Sequence, residues 1–533
     1  MQQLYTATAS LDSRAISKYL LSDELLMENA ANALLGLIER LTHRQSVVCI
    51  VCGSGDNGAD GYALARKLQG NYRVRIYEAK EPKSPLCKLQ AQRASLAGVE
   101  WSKKILPCDV IVDCLFGSGF SGELSPESSK LIEQMNSAAR LNIACDIPSG
   151  LDLQGRVGSI AFRADYTMSM GALKAGLFAD SAKDIVGEVI VGDLGISRAL
   201  FEVQSPFSLL EASDLHLPAR TKHNCHKGSF GHVAVVSGEK MGAAELCARA
   251  ALRMGAGLVS ILTRQSLESS AKKVAVATLF DDFASQGFMD SGARDYDRLE
   301  SWHARLNTLG SSVEIMHTHE IPANANVLCI GMGLGRTNPH TKASKTISAT
   351  HQATLATPDK SPLALIAARL DSGELGCSLV LDADVFYDKA IISLLKRHAA
   401  RLVLTPHPKE FASLLQLCGL DSPNTLAEIV EQRFELALGF SQAYPEATLL
   451  LKGANPIIAQ GGKLYINPLG TPALAKGGSG DVLSGLIAGF LAQGYGMLDS
   501  AINASLAHAL ASKREKNAYA LTPLRLIEHI GEL

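Results

Sequence analysis

The chain has 533 residues, 47% hydrophobic and 20% charged, which predicts several domains with large cores and excludes a disordered chain. With 51 Lys and Arg against 53 Asp and Glu, the formal net charge is −2, excluding a generally basic nucleic-acid binder and an acidic solubilising chain alike. Eleven cysteines, an odd number in mostly apolar surroundings, fit reduced thiols in a cytoplasmic protein better than a disulfide framework.

The first residues, MQQLYTATASLD, lack the basic-then-apolar pattern of a signal peptide. No apolar run approaches the ~20 residues of a membrane span. The first forty residues read as helix. Ser22 is the expected N-cap with Asp23 and Glu24 in the first turn, and Leu25, Leu26, Ala33, Leu37, Ile38 and Leu41 form the expected buried face.

From Ser46 the pattern changes to short apolar runs separated by helical stretches. SVVCIVC (46–52), RVRIYE (73–78), VIVDCLF (110–116) and NIACDI (142–147) predict parallel strands joined by crossover helices. Cys49 and Cys52 form a CxxC inside the first run, read as two strand residues because no second ligand pair matches it. Ligands bind beyond the carboxyl ends of such strands, so CGSGDNGADG, DCLFGSGF and DIPSGLD are where chemistry is sought. Gly53 to Gly58 spell GxGxxG, with Glu78 twenty residues on, the pattern of a dinucleotide fingerprint and hence of an NAD-dependent dehydrogenase. Asp56 and Asp60 argue against it, because they place carboxylates where a pyrophosphate needs bare N–H groups. Asp113 and Asp146, ending neighbouring strands, converge with Ser149 on an expected oxygen-ligand site for a hard cation.

Residues 205–225 are poorly periodic and form the expected boundary between domains 1–210 and 225–533. HVAVVSG (232–238), LVSILT (258–263), NVLCIGMG (326–333), SLVLDAD (378–384), RLVLTPHP (401–408) and ATLLLKG (447–453) predict a second strand series. Residues 265–326 are polar and read as helices plus loops. His223 and His226 form an isolated HxxH and are read as surface residues. KGGSGD (476–481) opens an apolar helix, DVLSGLIAGFLAQG, and its backbone N–H groups would form an anion nest. Asp481 is then placed as a base near a transferred phosphoryl group. No GxxxxGK[ST] occurs, so this is not a P-loop.

Tyr5-Thr6-Ala7, LMENA (26–30), CGSGDNGADGYALAR, VDCLFGSG, DIPSGLD and GALKAGL together resemble the NAD(P)H-hydrate epimerase family. GSFGHVAVVSG, GMGLG, VLDAD, TPHPKE, KGAN and GGSGD resemble the ADP-dependent NAD(P)H-hydrate dehydratases. The fold implied is α/β throughout, a Rossmann-like three-layer domain followed by a ribokinase-like α/β domain. The resemblance implies that the first domain epimerises the R and S forms of NADHX and NADPHX, the 6-hydroxy hydrates. It implies that the second dehydrates the S form at the expense of ADP, giving NAD(P)H, AMP and phosphate.

The resemblance also implies site residues. Asn57, Asp113 and Ser149 would hold K+. Asp56, Asn57, Gly58, Ala59, Asp60, Gly117, Ser118, Gly119, Phe120, Ser121, Gly122, Glu123 and Asp146 would contact the hydrate, with Asp146 the candidate for acid–base work. In the second domain Ala243, Gly333, His407 and Asp481 would contact the hydrate. Lys452, Gly453, Ala454, Asn455, Pro456 and Gly480 would contact the nucleotide, with Mg2+ accompanying it. A homo-oligomer is expected, with no nucleic-acid or membrane partner. The alternative is a ribokinase-like small-molecule kinase fused to a dinucleotide-binding or non-catalytic binding domain. Ser54, Asp56 and Ala59 stand where the family usually has Asn, Asn and Gly; Met332, Tyr387, Lys409 and Pro456 are further departures.

Overall fold

The computed structural model describes residues 1–263, 314–335 and 361–533. It divides into two compact units, residues 1–209 with 430–432, and residues 210–429 with 433–533. Most of the polar 265–326 stretch, residues 265–313, lies outside the described residues; its end carries the strand Met316–Thr318.

The first unit is built on a seven-stranded sheet in which every pairing is parallel. Its four predicted strands appear as Val47–Cys52, Arg73–Glu78, Cys108–Cys114 and Ala139–Cys145. The apolar runs form strands because crossover helices cover both sheet faces and reward continuous Val, Ile and Cys. Val47–Cys52 pairs with Arg73–Glu78 on one side and Cys108–Cys114 on the other. Strand order therefore reverses between Val47–Cys52 and Cys108–Cys114, the position where open α/β sheets bind ligands. Cys49 and Cys52 are buried strand residues, and all eleven cysteines are free.

The N-terminus departs from the expected continuous helix. Gln2–Tyr5 is a strand, pairing antiparallel with Phe207–Leu209 and parallel with Leu173–Lys174. Helices Ala9–Tyr19 and Asp23–Leu41 follow, separated at Leu20, whose φ of 56° ends the first helix in the left-handed region. Ser22 caps the second as expected, its Oγ accepting the Leu25 N–H. The buried face of that helix is Leu26, Met27, Ala30, Ala31, Leu34, Leu37 and Ile38. Leu25, expected inward, is exposed because it falls one position outside this stripe.

Glu28 on the same helix meets Arg66 at 2.5 Å and Lys67 at 2.7 Å. Burial opposes its charge, but hydrogen bonds from Lys67, Gln90 and Arg66 outweigh this and hold the carboxyl at about 2. A carboxyl lowered by folding stabilises the native state above its ordinary value of 4.5, and that contribution fades as pH falls through the folded value. Acid unfolding of Glu28→Gln should therefore lose part of the wild type's dependence between pH 4.5 and 2, read by circular dichroism across an acid titration. Identical acid profiles would show that the pair contributes nothing.

The second unit carries seven parallel strands in the order Met316–Thr318, Leu258–Thr263, His232–Ser237, Val327–Ile330, Ser378–Leu381, Leu402–Leu404, Thr448–Leu451. An antiparallel pair, Ile457–Gln460 and Lys463–Ile466, extends it. This hairpin was not foreseen, although Gly461 and Gly462, both at positive φ, are the two-residue turn that hairpins favour. The predicted apolar helix is Ser479–Ala492, buried from Val482 onward. It lies close against helix Met241–Arg253: a Cβ at Gly485 would stand 2.2 Å from the Cys247 carbonyl oxygen, and one at Gly489 3.0 Å from that of Ala251. His223 and His226 are exposed, as expected. No helix among the described residues is long and apolar enough to cross a membrane.

Candidate functional sites

In the first unit the reversal of strand order opens a cavity of about 680 Å³. Three loops leaving strand ends form it, and glycines allow their close approach. A Cβ at Gly53 would strike the Leu115 carbonyl oxygen at 2.0 Å, and one at Gly58 the Gly53 oxygen at 2.1 Å. Of the predicted contact residues, Asp56, Asn57, Asp60, Gly117, Ser118, Gly119, Phe120, Ser121 and Asp146 line the cavity. Gly58 and Ala59 instead pack inward, Ala59 being fully buried. Gly122 and Glu123 are exposed outside the lining. Asp56, the unusual carboxylate of the first loop, accepts the Ser84 hydroxyl at 2.7 Å. Glu78, the acidic member of the dinucleotide-type spacing, accepts the Tyr62 hydroxyl at 2.9 Å.

Asn57, Asp113 and Ser149 come together at this switch point. Asp113 is fully buried. Its Oδ1 accepts the Ser149 hydroxyl at 2.7 Å and the Leu115 N–H at 3.1 Å, and its Oδ2 accepts the Ser149 N–H at 2.7 Å. Burial pushes its carboxyl up to about 6, opposed by those bonds. Ser149 Oγ accepts the Phe116 N–H, and Asn57 Nδ2 donates to the Phe116 carbonyl at 2.8 Å. Asn57 Oδ1 is buried with no hydrogen-bond partner among the described residues. A buried orphan acceptor is costly, and one linked through Phe116 and Ser149 to a buried carboxylate fits a hard monovalent cation with oxygen ligands.

Asp146 follows strand Ala139–Cys145 in the left-handed region, φ 68°. Its Oδ1 takes the Met170 N–H and the ammonium of Lys174 at 2.5 Å. Lys174 is 1% exposed and also donates to Ser169 Oγ and the Met170 carbonyl. A buried charge pair with its remaining hydrogen bonds made is rigid, and loss of one partner costs about 3–5 kcal/mol. Asp60 is held well above the carboxylate range by burial, then by Asp146 and Asp56. Lys174, Thr8, Asp12 and Lys80 were not singled out from the sequence. A lysine inside the apolar GALKAGL run was a legible signal for the first.

In the second unit the site is again at strand ends. Asp382, after Ser378–Leu381, is 2% exposed. Its Oδ1 meets Lys452 Nζ at 2.5 Å and the Ala383 N–H at 2.8 Å, and its Oδ2 accepts the Ser484 hydroxyl at 2.8 Å. Lys452 is tied to the TPHP loop by its N–H to the Pro406 carbonyl, and its Nζ would lie 3.3 Å from a Cβ at Gly480. Strand ends 382, 405–407 and 452 thus meet the start of helix Ser479–Ala492. Gly478, φ 94°, caps that helix, and the first-turn N–H groups, which lack intrahelical partners, would favour an anion there with the helix dipole behind them. Asp481 lies in this turn. Burial, then Asp382, raise its carboxyl to about 6 against the pull of Lys452.

Arg433, 4% exposed, donates to the carbonyls of Leu451, Lys452 and Asn455, fixing the loop on which Gly453 and Ala454 are exposed, Asn455 buried and Pro456 half-buried. Ala243 and Gly333 are neighbours: a Cβ at Gly333 would stand 3.2 Å from that of Ala243. His407 caps helix Pro408–Cys418. Its Nδ1 accepts the Glu410 N–H, its own N–H donates to Glu410 Oε2 at 2.8 Å, and Nε2 lies 3.1 Å from Glu410 Oε1. Burial, then Lys452, lower the imidazole pKa, while burial raises Glu410 to about 7. His508, beneath the glycine-rich turn, contacts the Ser479 carbonyl through Nε2 and is pushed down to about 4 by burial. Asp382, Glu410, Arg433 and His508 were not foreseen as site residues. The His407–Glu410 spacing was legible as a capping box.

These features define a two-part α/β protein: one unit with an oxygen-lined cavity at the switch point of a parallel sheet, and one whose strand ends meet a glycine-rich helix start. The NAD(P)H-hydrate dehydratase family model matches residues 233–532, and that of the YjeF-related protein N-terminus matches residues 23–176. A Helicobacter pylori protein described as a bifunctional NAD(P)H-hydrate repair enzyme is 41% identical over 540 residues, covering 100% of both chains. One from Moorella thermoacetica, described likewise, is 32% identical, covering 92% of this chain and 88% of its own. The ADP/ATP-dependent NAD(P)H-hydrate dehydratase of Bacillus subtilis, co-crystallised with ATP/Mg2+, is 22% identical at a TM-score of 0.40, covering 59% of this chain and 92% of its own. The chain belongs to the bifunctional NAD(P)H-hydrate repair enzymes, an epimerase region followed by an ADP-dependent dehydratase region.

Proposed function

We propose that residues 1–210 epimerise NADHX and NADPHX in the first cavity, and that residues 225–533 dehydrate the S epimers at the expense of ADP. The observation that carries this reading is the convergence of Lys452, Gly480 and the half-buried Asp481 on one helix start, which suits a phosphate cradle with a base beside it. In the first cavity Asp146, held by Lys174, is the acid–base group. Asn57, Asp113 and Ser149 would hold K+, which would supply a fixed positive charge to the site.

In the second unit Lys452 to Pro456 and Gly480 hold the adenine nucleotide, while Ala243, Gly333 and His407 border the hydrate. N–H groups of Gly477 to Gly480 stabilise charge on the terminal phosphate of ADP. Among the described residues no group of three His, Cys, Asp or Glu could hold a metal. Mg2+ would enter with the nucleotide phosphates, as it usually does. Asp481 takes the proton of the 6-hydroxyl as its oxygen attacks the terminal phosphorus, and AMP leaves. The ring nitrogen lone pair then expels phosphate, and loss of a C5 proton restores NAD(P)H.

The test is to incubate mixed R and S hydrates with the protein, with and without ADP, and follow each epimer and the nucleotide by chromatography. Full recovery of NAD(P)H with one AMP per turnover is expected with ADP, and only epimer equilibration without it. A stable phosphorylated product would favour the small-molecule kinase instead.

A further inference from the structure

Residues 1–22 precede the matched region 23–176, yet they help to wall the first cavity. Strand Gln2–Tyr5 runs parallel to Leu173–Lys174, with Tyr5 opposite Lys174. The chain leaving that strand therefore starts beside the lysine that holds Asp146. Thr8 and Asp12 follow and line the same cavity as Asp60 and Asp146. Leu11 and Ala15 are buried and seat helix Ala9–Tyr19, which leaves Asp12 half-buried at the cavity wall. Among the described residues no donor takes the Asp12 carboxyl. Lys174, in contrast, is committed to Asp146, Ser169 and Met170.

The substrate sets two proton transfers, at the hydroxyl and at the ring nitrogen, that two carboxyls can divide between them. C6 of the hydrate carries a hydroxyl and is bonded to ring N1, so it is a hemiaminal carbon. Inverting it by ring opening takes a proton from the hydroxyl and gives one to N1, two transfers at different atoms that two groups can serve at once. Acid and base roles are assigned where environments set two carboxyls apart. Asp146 has an ammonium on it and suits the base. Asp12 has none, and burial raises it to about 6, Lys174 opposing and Asp146 and Asp23 adding to the rise.

We infer that Asp12 is a further catalytic residue of the epimerisation, acting as the proton donor to N1 while Asp146 accepts the hydroxyl proton. This rests on the epimerase reading of the first cavity. Asp146 takes the O–H proton, the C6–O bond becomes a carbonyl, and the C6–N1 bond breaks. The electron pair released onto N1 accepts the Asp12 proton. After rotation about C5–C6, N1 attacks the other face of the aldehyde, its proton returns to Asp12, and Asp146 returns its proton to oxygen. Nothing is consumed.

The experiment measures R-to-S conversion by the full chain at several concentrations of R hydrate, beside ADP-dependent dehydration of the S epimer. Asp12→Asn should lower kcat for epimerisation by about 10²-fold or more, with little change in KM and unchanged dehydration. Asp12→Glu should fall between Asp12→Asn and wild type. Wild-type kcat in Asp12→Asn, or a loss carried wholly by KM, overturns the assignment. If Asp12→Asn lowers the melting temperature, Asp12→Glu decides. A reduced kcat at unchanged KM and melting temperature supports the assignment, and a wild-type kcat overturns it. A wild type that does not epimerise at all would defeat the underlying reading, which is a different result.

Discussion

Asp481→Asn should cut dehydration of the S epimer by about 10²-fold or more and leave R-to-S conversion unchanged. The substitution keeps the size of the side chain and the helix start, but it removes the base. A catalytic base works best with a pKa near the working pH, and burial together with Asp382 brings Asp481 up to about 6. Wild-type kcat/KM for dehydration should therefore fall as pH drops below that value, as the carboxylate takes up a proton, and Asp481→Asn should abolish this limb. Dehydration assays of both proteins from pH 5 to 8, with S hydrate and ADP, check the effect. Near-wild-type turnover by the variant, or NAD(P)H recovery without nucleotide consumption, would remove Asp481 from the mechanism.

Asp113→Ala should have the opposite selectivity, abolishing enzymatic R-to-S conversion while the S epimer is still dehydrated. Three donors converge on this carboxylate. Its removal leaves the Ser149 and Leu115 groups without their buried acceptor, at about 1–3 kcal/mol for each group left unsatisfied. It also removes the carboxylate that Ser149 and Phe116 link to Asn57. Stimulation of epimerisation by K+ over a large organic cation should disappear with it. Thermal unfolding followed alongside activity separates the two effects. A variant that epimerises normally and still responds to K+ would contradict the ligand set.

Both predictions start from residues that were visible as strand-end chemistry. Asp113 and Asp481 end or begin apolar stretches long enough to define their elements, so position along the element placed each at a sheet edge or helix start. Contacts made through distant pairing were not visible. Asp12 reaches the cavity because Tyr5 lies opposite Lys174 across 169 residues of chain (174 − 5), and nothing local to SLDSRA announces it. The short strand Gln2–Tyr5 was read as helix because four residues cannot establish a period of two against a flanking helical pattern. Arg433 was equally hidden, since its role is to bond the carbonyls of a loop nearly twenty positions away. Glu410 and the Gly461–Gly462 hairpin, in contrast, are legible in the sequence through a capping box and a turn pair.

Two sites, each in its own unit, should share the S epimer as a released intermediate. This is tested most directly by mixing the two single-site variants, Asp113→Ala and Asp481→Asn, with R and S hydrates and ADP. Asp113→Ala alone should consume the S epimer and then proceed only at the uncatalysed rate of epimerisation. Asp481→Asn alone should equilibrate the epimers and restore almost no NAD(P)H. Together they should convert the whole mixture to NAD(P)H at a rate approaching that of the wild type. A mixture that stalls once the initial S epimer is gone would contradict the account.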